Sequence, residues 1–245
     1  MEQPYLLIFA AFFVSAFLKG ITGLGFSTIC LALLASIIDL RLAIPMVIVP
    51  SLGSNVLVMV QAGDFRRTLY DFRWLYIAAF PGLIAGLALL GSADAVSAAG
   101  LLGLVLVLYA VFALANPGFQ LSPTRASRLY IPVGAVTGFI NGATGSQVMP
   151  VLPFLMSLGL APERFVQAIN ISFTGSSMVM LGGLFYLGFV DLNTLAWSSL
   201  GLVPVFIGIK LGGALRRKLP DHIFRIGVLV MLIALGGNLV RSAML

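Results

Sequence analysis

The amino-acid sequence predicts an all-α polytopic membrane protein with two inverted repeats, each a short re-entrant helical hairpin plus three transmembrane helices. The first observation behind this prediction is composition: 60% of the 245 residues are hydrophobic and 9% are charged, against roughly 25% charged in soluble domains. The second is the length of the uncharged runs, and the third is a glycine-rich motif that occurs once in each half. With a mean hydropathy of +1.10, the chain is neither a water-soluble enzyme nor disordered.

Long uncharged runs separate small clusters of charge. They cover residues 3–18, 20–38, 42–63, 74–93, 95–124, 129–162, 165–190, 192–209 and 226–240. About 18 uncharged apolar residues already suggest a membrane helix, so these runs predict several spans. We expect the net charge of +6 to reflect basic residues in cytoplasmic loops rather than nucleic-acid binding.

A glycine-rich motif divides the chain into two similar halves. Residues 20–27, which we name the first tip, resemble residues 138–146, the second tip. Each tip is followed by a short apolar stretch and a weakly charged turn. Internal repeats of this kind are typical of transporters. We therefore predict a first membrane repeat at 1–115, a cytoplasmic linker at 116–128 and a second, inverted repeat at 129–245.

Each half contains five apolar segments in the same order. They cover about 6–18, 26–38, 44–60, 74–90 and 96–115 in the first half, and 131–140, 148–158, 167–186, 195–211 and 223–240 in the second. The first two segments of each half are short. Because a 13-residue helix extends only about 20 Å, less than the roughly 30 Å hydrocarbon core, we expect each short pair to form a re-entrant hairpin.

The charges of the loops agree with hairpins. If each hairpin returns to the face that it entered, one face holds nine basic residues and the other holds two, Arg41 and Arg241. The nine are Arg66, Arg67, Arg73, Arg125, Arg128, Arg164, Arg216, Arg217 and Lys218. If each short pair instead crossed the membrane once, the two faces would hold six and five basic residues. The positive-inside rule therefore favours hairpins over single crossings, although two full crossings by each short pair would divide the basic residues in the same way.

This topology makes the second half inverted relative to the first, because a hairpin plus three crossings is an odd number. It also predicts that the loops at 61–73 and 212–222 are cytoplasmic and that both termini lie on the opposite face. In such transporters the site lies at the midplane between the repeats.

The two tips carry the groups that can bind an anion. The helices leaving the tips are predicted to begin near Phe26 and Ser146, so that their free N–H groups face the midplane and attract negative charge. Glycine permits close backbone approach there, at Gly23, Gly25, Gly142 and Gly145. Hydroxyl and amide donors come from Thr22, Ser27, Thr28, Asn141, Thr144, Ser146 and Gln147. The alternative is that these glycines only allow helices to pack closely.

Charged residues near the membrane centre are few. The eight carboxylates lie at segment ends or in loops, at Glu2, Asp39, Asp64, Asp71, Asp94, Glu163, Asp191 and Asp221. This placement argues against a cation carrier or a carboxylate proton relay. Lys19 adjoins the first tip. It is either an intramembrane contact to the substrate or a residue in an aqueous vestibule above a shallow hairpin.

Two asparagines lie within the long third segment of each half. A buried amide in lipid needs a partner, so each can bind substrate or join helices. We assign Asn55 to a contact between helices and Asn170 to the substrate site. Gln167, one turn before Asn170, could face the same cavity.

The motifs resemble a known family. Residues 19–27 and 138–153, with 157–160 and 170–177, look like the TauE/SafE sulfite exporter family, also called the 4-toluene sulfonate uptake permease group. The likeness runs over nearly the whole chain and is stronger in the second half. The resemblance implies a multi-pass transporter of the bacterial inner membrane that moves sulfur-containing anions such as sulfite, sulfonates or sulfoacetate.

We therefore predict a secondary transporter for a small sulfur-containing anion. Its expected partners are that anion and the lipid bilayer, without nucleic acid, cofactor or metal, and a homo-oligomer is left open. One alternative is an anion channel of the same architecture. Another is a membrane-embedded enzyme, for which the sequence offers no intramembrane acid–base pair, and a third is a structural subunit without transport.

Overall fold

The protein is a bundle of α-helices. A computed structural model describes residues 5–22, 25–116, 118, 120–216 and 221–244, and every regular element in these ranges is helical. The helices are α1 (Tyr5–Thr22), α2 (Phe26–Ala35), α3 (Leu40–Ala62), α4 (Phe65–Asp71), α5 (Arg73–Ser92), α6 (Ala95–Ala115), α7 (Pro123–Thr144), α8 (Val151–Met156), α9 (Pro162–Tyr186), α10 (Leu192–Leu200), α11 (Leu202–Arg216) and α12 (Asp221–Met244).

The helical lengths confirm the all-α polytopic prediction. Five stretches among the described residues are long and apolar enough to span a membrane. They are Leu40–Val60, Arg73–Ser92, Ala95–Ala115, Pro162–Tyr186 and Leu192–Leu215. Shorter apolar helices accompany them. Two details differ from the predicted segments: the loop at 61–73 contains the short helix α4, and Gly201 divides the segment at 195–211 into α10 and α11.

The two halves of the chain pack against each other in matched pairs. The first helix of each half packs on the fourth segment of the other half, giving the pairs α1–α11 and α7–α5. The third helices pair as α3–α9, and the fifth as α6–α12. Exchanging the halves therefore leaves this set of contacts unchanged.

Glycines allow the closest of these helix pairs. A Cβ atom on Gly138 or Gly142 of α7 would overlap the backbone of α5, at the Ala79 and Leu83 carbonyl oxygens. A Cβ on Gly20 of α1 would approach the backbone of α11 in the same way. The packing role considered for the glycine-rich motifs is thus present at these positions.

Both hairpins fold back on themselves. In the first, α2 packs on α1, and the Cys30 thiol of α2 lies close to the Ser15 hydroxyl of α1. In the second, the Leu121 N–H donates to the Ser157 carbonyl oxygen at 2.9 Å. The chain thus returns at residue 157 to the level at which it started α7.

The arms of the hairpins are unequal, which corrects the predicted segments. α1 has 18 residues and α7 has 22, or about 27 and 33 Å, so the first arms are much longer than 6–18 and 131–140 suggest. α7 begins at Pro123, inside the range assigned to the linker. The second arms are short, at 10 and 6 residues. Burial of the polar tip residues lets these helices continue past the apolar segments.

Candidate functional site

The tips of the two hairpins meet between α3 and α9 and enclose two small cavities. The first, which we name the Lys19 cavity, is lined by Lys19, Gly25, Phe26, Ser27, Asn55, Asn170 and Phe173. The second, the Asn141 cavity, is lined by Ser27, Leu31, Ile44, Val47, Ile48, Ser51, Asn141, Gly145, Gln147, Ser177 and Met180. Ser27 lines both cavities, so the two lie side by side at the start of α2.

Lys19 is enclosed in protein. Its side chain is 5% exposed, and its ammonium donates to Ser54 Oγ and Asn55 Oδ1 on α3, each at 2.9 Å. An aqueous vestibule around Lys19 does not fit this burial. A lysine ammonium carries three protons, and the described residues accept two of them.

No carboxylate neutralises Lys19 among the described residues, where the ion pair that forms joins Arg164 and Asp71. Desolvating an ammonium costs several kcal/mol, and two neutral acceptors do not cancel its charge. A buried cation without a counter-ion makes this cavity attractive to an anion.

The start of α2 adds to the positive potential of the Lys19 cavity. α2 begins at Phe26, as predicted, and Gly25 occupies the N-cap position with φ +89°. This left-handed conformation favours glycine, which provides no side chain to cap the helix. The first N–H groups of α2 therefore have no side-chain cap among the described residues, and they carry the positive end of the helix dipole.

The Asn141 cavity contains buried amides without partners. Asn141 is 1% exposed, and neither end of its amide has a hydrogen-bond partner among the described residues. Gln147 donates from Nε2 to Ser177 Oγ at 2.7 Å, while its Oε1 is unpartnered within the same ranges. Buried polar atoms are normally satisfied, so two such side chains around one cavity indicate a ligand.

A hydrogen-bonded chain connects the two cavities. Because Lys19 can only donate, Asn55 presents its Oδ1 to Lys19, and its Nδ2 donates to Ser51 Oγ at 3.4 Å. Ser54 in turn donates to the Ser51 carbonyl oxygen at 2.9 Å. Asn55, which the sequence assigned to a contact between helices, therefore takes part in the site as well as joining α3 to α1.

Several predicted site residues lie elsewhere in the structure. Gly142 faces α5 rather than a cavity. Thr144 donates to the Ile140 carbonyl oxygen and accepts from the Ser146 N–H. The helix expected to begin near Ser146 starts only at Val151 and has six residues, so the second tip offers no helix N-terminus. Gly145 does line the Asn141 cavity, where φ +75° reverses the chain after α7.

The remaining predicted residues lie in the Lys19 cavity, at buried positions outside both cavities, or beyond the described residues. Asn170 lines the Lys19 cavity and donates from Nδ2 to the Val166 carbonyl oxygen at 2.8 Å. Gln167 is buried but lines neither cavity. Gly23 lies outside the described residues, and the side chain of Thr22 is not described either. Thr28 is buried in the first turn of α2.

The sequence analysis missed three serines of the site: Ser51, Ser54 and Ser177. Their signal was present, because all three are polar residues inside long apolar segments. Ser51 and Asn55 are four residues apart and so share one face of a helix.

Arg41 and Arg164 tie the halves together at opposite ends of α5. Arg41, near the start of α3, donates to the Ala93 carbonyl oxygen and lies 5.4 Å from the centre of the Phe189 ring. These three residues form the Arg41 cluster. Arg41 thereby joins α3, in the first half, to the connection between α9 and α10, in the second half.

Arg164 makes the matching contacts at the other end. Near the start of α9, it pairs with Asp71 and lies 6.0 Å from the centre of the Phe72 ring. These three residues form the Arg164 cluster; the Tyr130 ring packs on Phe72, and the Phe154 ring packs in turn on Tyr130. The arginine–ring contacts of the two clusters correspond when the halves are exchanged, whereas Ala93 follows α5 and Asp71 precedes it.

Both cavities are closed in this conformation. Each has a volume of about 10 Å³, which is about the minimum for one water molecule. A sulfur oxyanion has several heavy atoms and does not fit. Binding therefore requires the hairpin tips, α3 and α9 to separate.

Comparison with known proteins identifies the family. No curated protein and no solved structure matches the chain significantly. The family model described as "Sulfite exporter TauE/SafE" matches residues 7–239, nearly the whole chain. This match includes both hairpins, both cavities and all of the paired helices described above. The chain therefore belongs to the TauE/SafE sulfite exporter family, whose members are multi-pass membrane transporters.

Proposed function

We propose that the protein is a secondary transporter that moves a small sulfur-containing anion, sulfite or an organosulfonate, across the bacterial inner membrane. The observation that carries this proposal is Lys19, a buried cation without a carboxylate partner among the described residues. Lys19 and the start of α2, which has no side-chain cap among the described residues, line the same cavity. The family match supports the same substrate class.

The donors around the Lys19 cavity suit a sulfonate or sulfite group. Such a group is compact and carries several acceptor oxygens. Lys19 supplies one positive charge, the Ser27 hydroxyl supplies a neutral donor, and Asn170 retains a second amide proton beside the one that it gives to Val166. One cation with several neutral donors favours a monoanion, because a dianion would remain partly uncompensated in a buried site.

The closed cavities favour a transporter over a channel. A channel needs a path that stays open to ions, whereas these cavities admit no anion until the protein changes conformation. The matched helix pairs support inverted repeats. Such repeats open a central site first to one membrane face and then to the other. In this mechanism the Arg41 and Arg164 clusters close opposite ends of the site and open in turn.

Binding and counterflow measurements test the proposal. Purified protein should bind hydrogensulfite, the monoanionic form of sulfite, or a short alkylsulfonate, with the dianions thiosulfate and sulfate binding least. In proteoliposomes, unlabelled anion on one side should accelerate uptake of labelled anion from the other, as carriers do and channels do not. Absence of binding to the whole panel would refute the proposal, and flux without saturation or counterflow would favour the channel.

A further inference from the structure

The Asn141 cavity presents acceptor oxygens without partners among the described residues, in contrast to the cationic Lys19 cavity. The unpartnered end of Gln147 is an oxygen, because its nitrogen already donates to Ser177. Asn141 presents an amide oxygen and an amide nitrogen, both without a partner among the described residues. These oxygens only accept hydrogen bonds, so an acceptor-only anion cannot satisfy them. The cavity therefore suits a ligand that is positively charged or donates protons.

Further oxygens surround the same cavity. Ser27, Ser51 and Ser177 contribute hydroxyls, and each hydroxyl oxygen has two lone pairs. α7 ends beside the cavity, where Gly145 caps it. The last carbonyl groups of a helix carry partial negative charge, and broken helices in transporters use such ends to bind cations.

The size and lining of the cavity restrict the ligand. In the closed conformation a volume of about 10 Å³ holds a single small ion or one water molecule. Within the described ranges no carboxylate lines the cavity, although Ca²⁺ and Mg²⁺ sites normally include carboxylates. Neutral oxygens within aliphatic walls suit a small monovalent cation.

We propose that the Asn141 cavity binds a sodium ion that is transported together with the anion. This inference rests on the proposed function, since it assigns the coupling ion of that transporter. The two ligands would lie on either side of Ser27, so their opposite charges would stabilise each other. The chain from Lys19 through Asn55 to Ser51 links the sites directly, so that each ligand also orders groups that face the other.

The expected consequence is reciprocal coupling. Sodium should raise the affinity for sulfite, and sulfite should raise the affinity for sodium by the same factor, typically about 5- to 150-fold. Potassium or choline at equal ionic strength should not replace sodium.

The experiment uses the purified full-length protein and two variants. Binding of ²²Na⁺ is measured with and without sulfite, and binding of sulfite is measured in sodium, potassium and choline gluconate. Gln147→Met removes the amide oxygen but keeps a similar volume. Gln167→Met is the matched control, because Gln167 is also a buried glutamine with an unpartnered amide but lies outside both cavities.

The outcomes separate this inference from the proposed function. We expect Gln147→Met to lose sodium binding and the sodium dependence of sulfite binding. This variant should still bind sulfite, as weakly as the wild type does without sodium. Gln167→Met should keep both sodium binding and the sodium dependence of sulfite binding. Sulfite binding that is equal in all three salts, or that depends on pH alone, would overturn the sodium site and leave the anion site standing. Absence of ²²Na⁺ binding would mean that the cavity holds only water. A wild type that binds no anion would refute the proposed function itself.

Discussion

Replacing Lys19 separates a ligand-binding lysine from a structural one. Lys19→Met removes the ammonium but keeps a flexible chain of similar length. A hydrogen bond to a charged group is worth roughly 1.5–3 kcal/mol, which corresponds to about ten- to a hundredfold in affinity. We expect sulfite binding to weaken by this factor. Lys19→Arg keeps the charge and should lose less.

The same substitution should not destabilise the fold. Asn55 Oδ1 would lose its donor, at a cost of about 1–3 kcal/mol for an unsatisfied group, whereas Ser54 Oγ would keep its hydrogen bond to the Ser51 carbonyl oxygen. Removing a buried charge without a counter-ion relieves a penalty of several kcal/mol. The two effects oppose each other, so Lys19→Met should unfold at the temperature of the wild type or above it.

The assay measures sulfite affinity at low and high ionic strength, with thermal unfolding of the same samples. The control is Lys210→Met, which removes an exposed lysine of α11 and should change neither quantity. Because Lys19 is buried, its effect should persist in high salt, where exposed charges are screened. Unchanged affinity, or a loss that vanishes with salt, would remove Lys19 from the site and refute the reasoning.

Three further predictions follow from the packing and the topology. Gly142→Ala places a Cβ against the Leu83 carbonyl oxygen, whereas a Cβ at Gly182 meets nothing within 4 Å. Gly142→Ala should therefore lower the unfolding temperature, and Gly182→Ala should not. Equal stability of the two variants would contradict the α5–α7 contact. Reporter fusions after the C-terminus and in the loop between α6 and α7 should report opposite faces, and the same face for both would refute the inverted repeats. Arg164→Ala should speed labelling of Asn170→Cys by a membrane-impermeant maleimide added from the cytoplasmic side, and an unchanged rate would mean that the Arg164 cluster does not close that end.

The sequence by itself determined the class of the protein and the order of its segments. Hydrocarbon excludes unpaired polar groups, so long uncharged runs leave little choice but membrane helices. The start of α2 at Phe26 was also predictable, because Gly25 can adopt the left-handed conformation that precedes it. The roles of Ser27, Asn141 and Gln147 as polar groups near a break followed from their rarity in apolar surroundings.

The tertiary structure alone decided which of these polar residues meet. Lys19 contacts Ser54 and Asn55, more than 30 positions away, and nothing in the local pattern of α1 or α3 specifies that pairing. Gly142 looked equivalent to Gly145 in the motif, yet it faces α5 while Gly145 faces the cavity. Local propensity sets where a helix begins and ends, but the face that each helix turns to its neighbours depends on the packing of the whole bundle, because that packing minimises the buried polar groups left without partners.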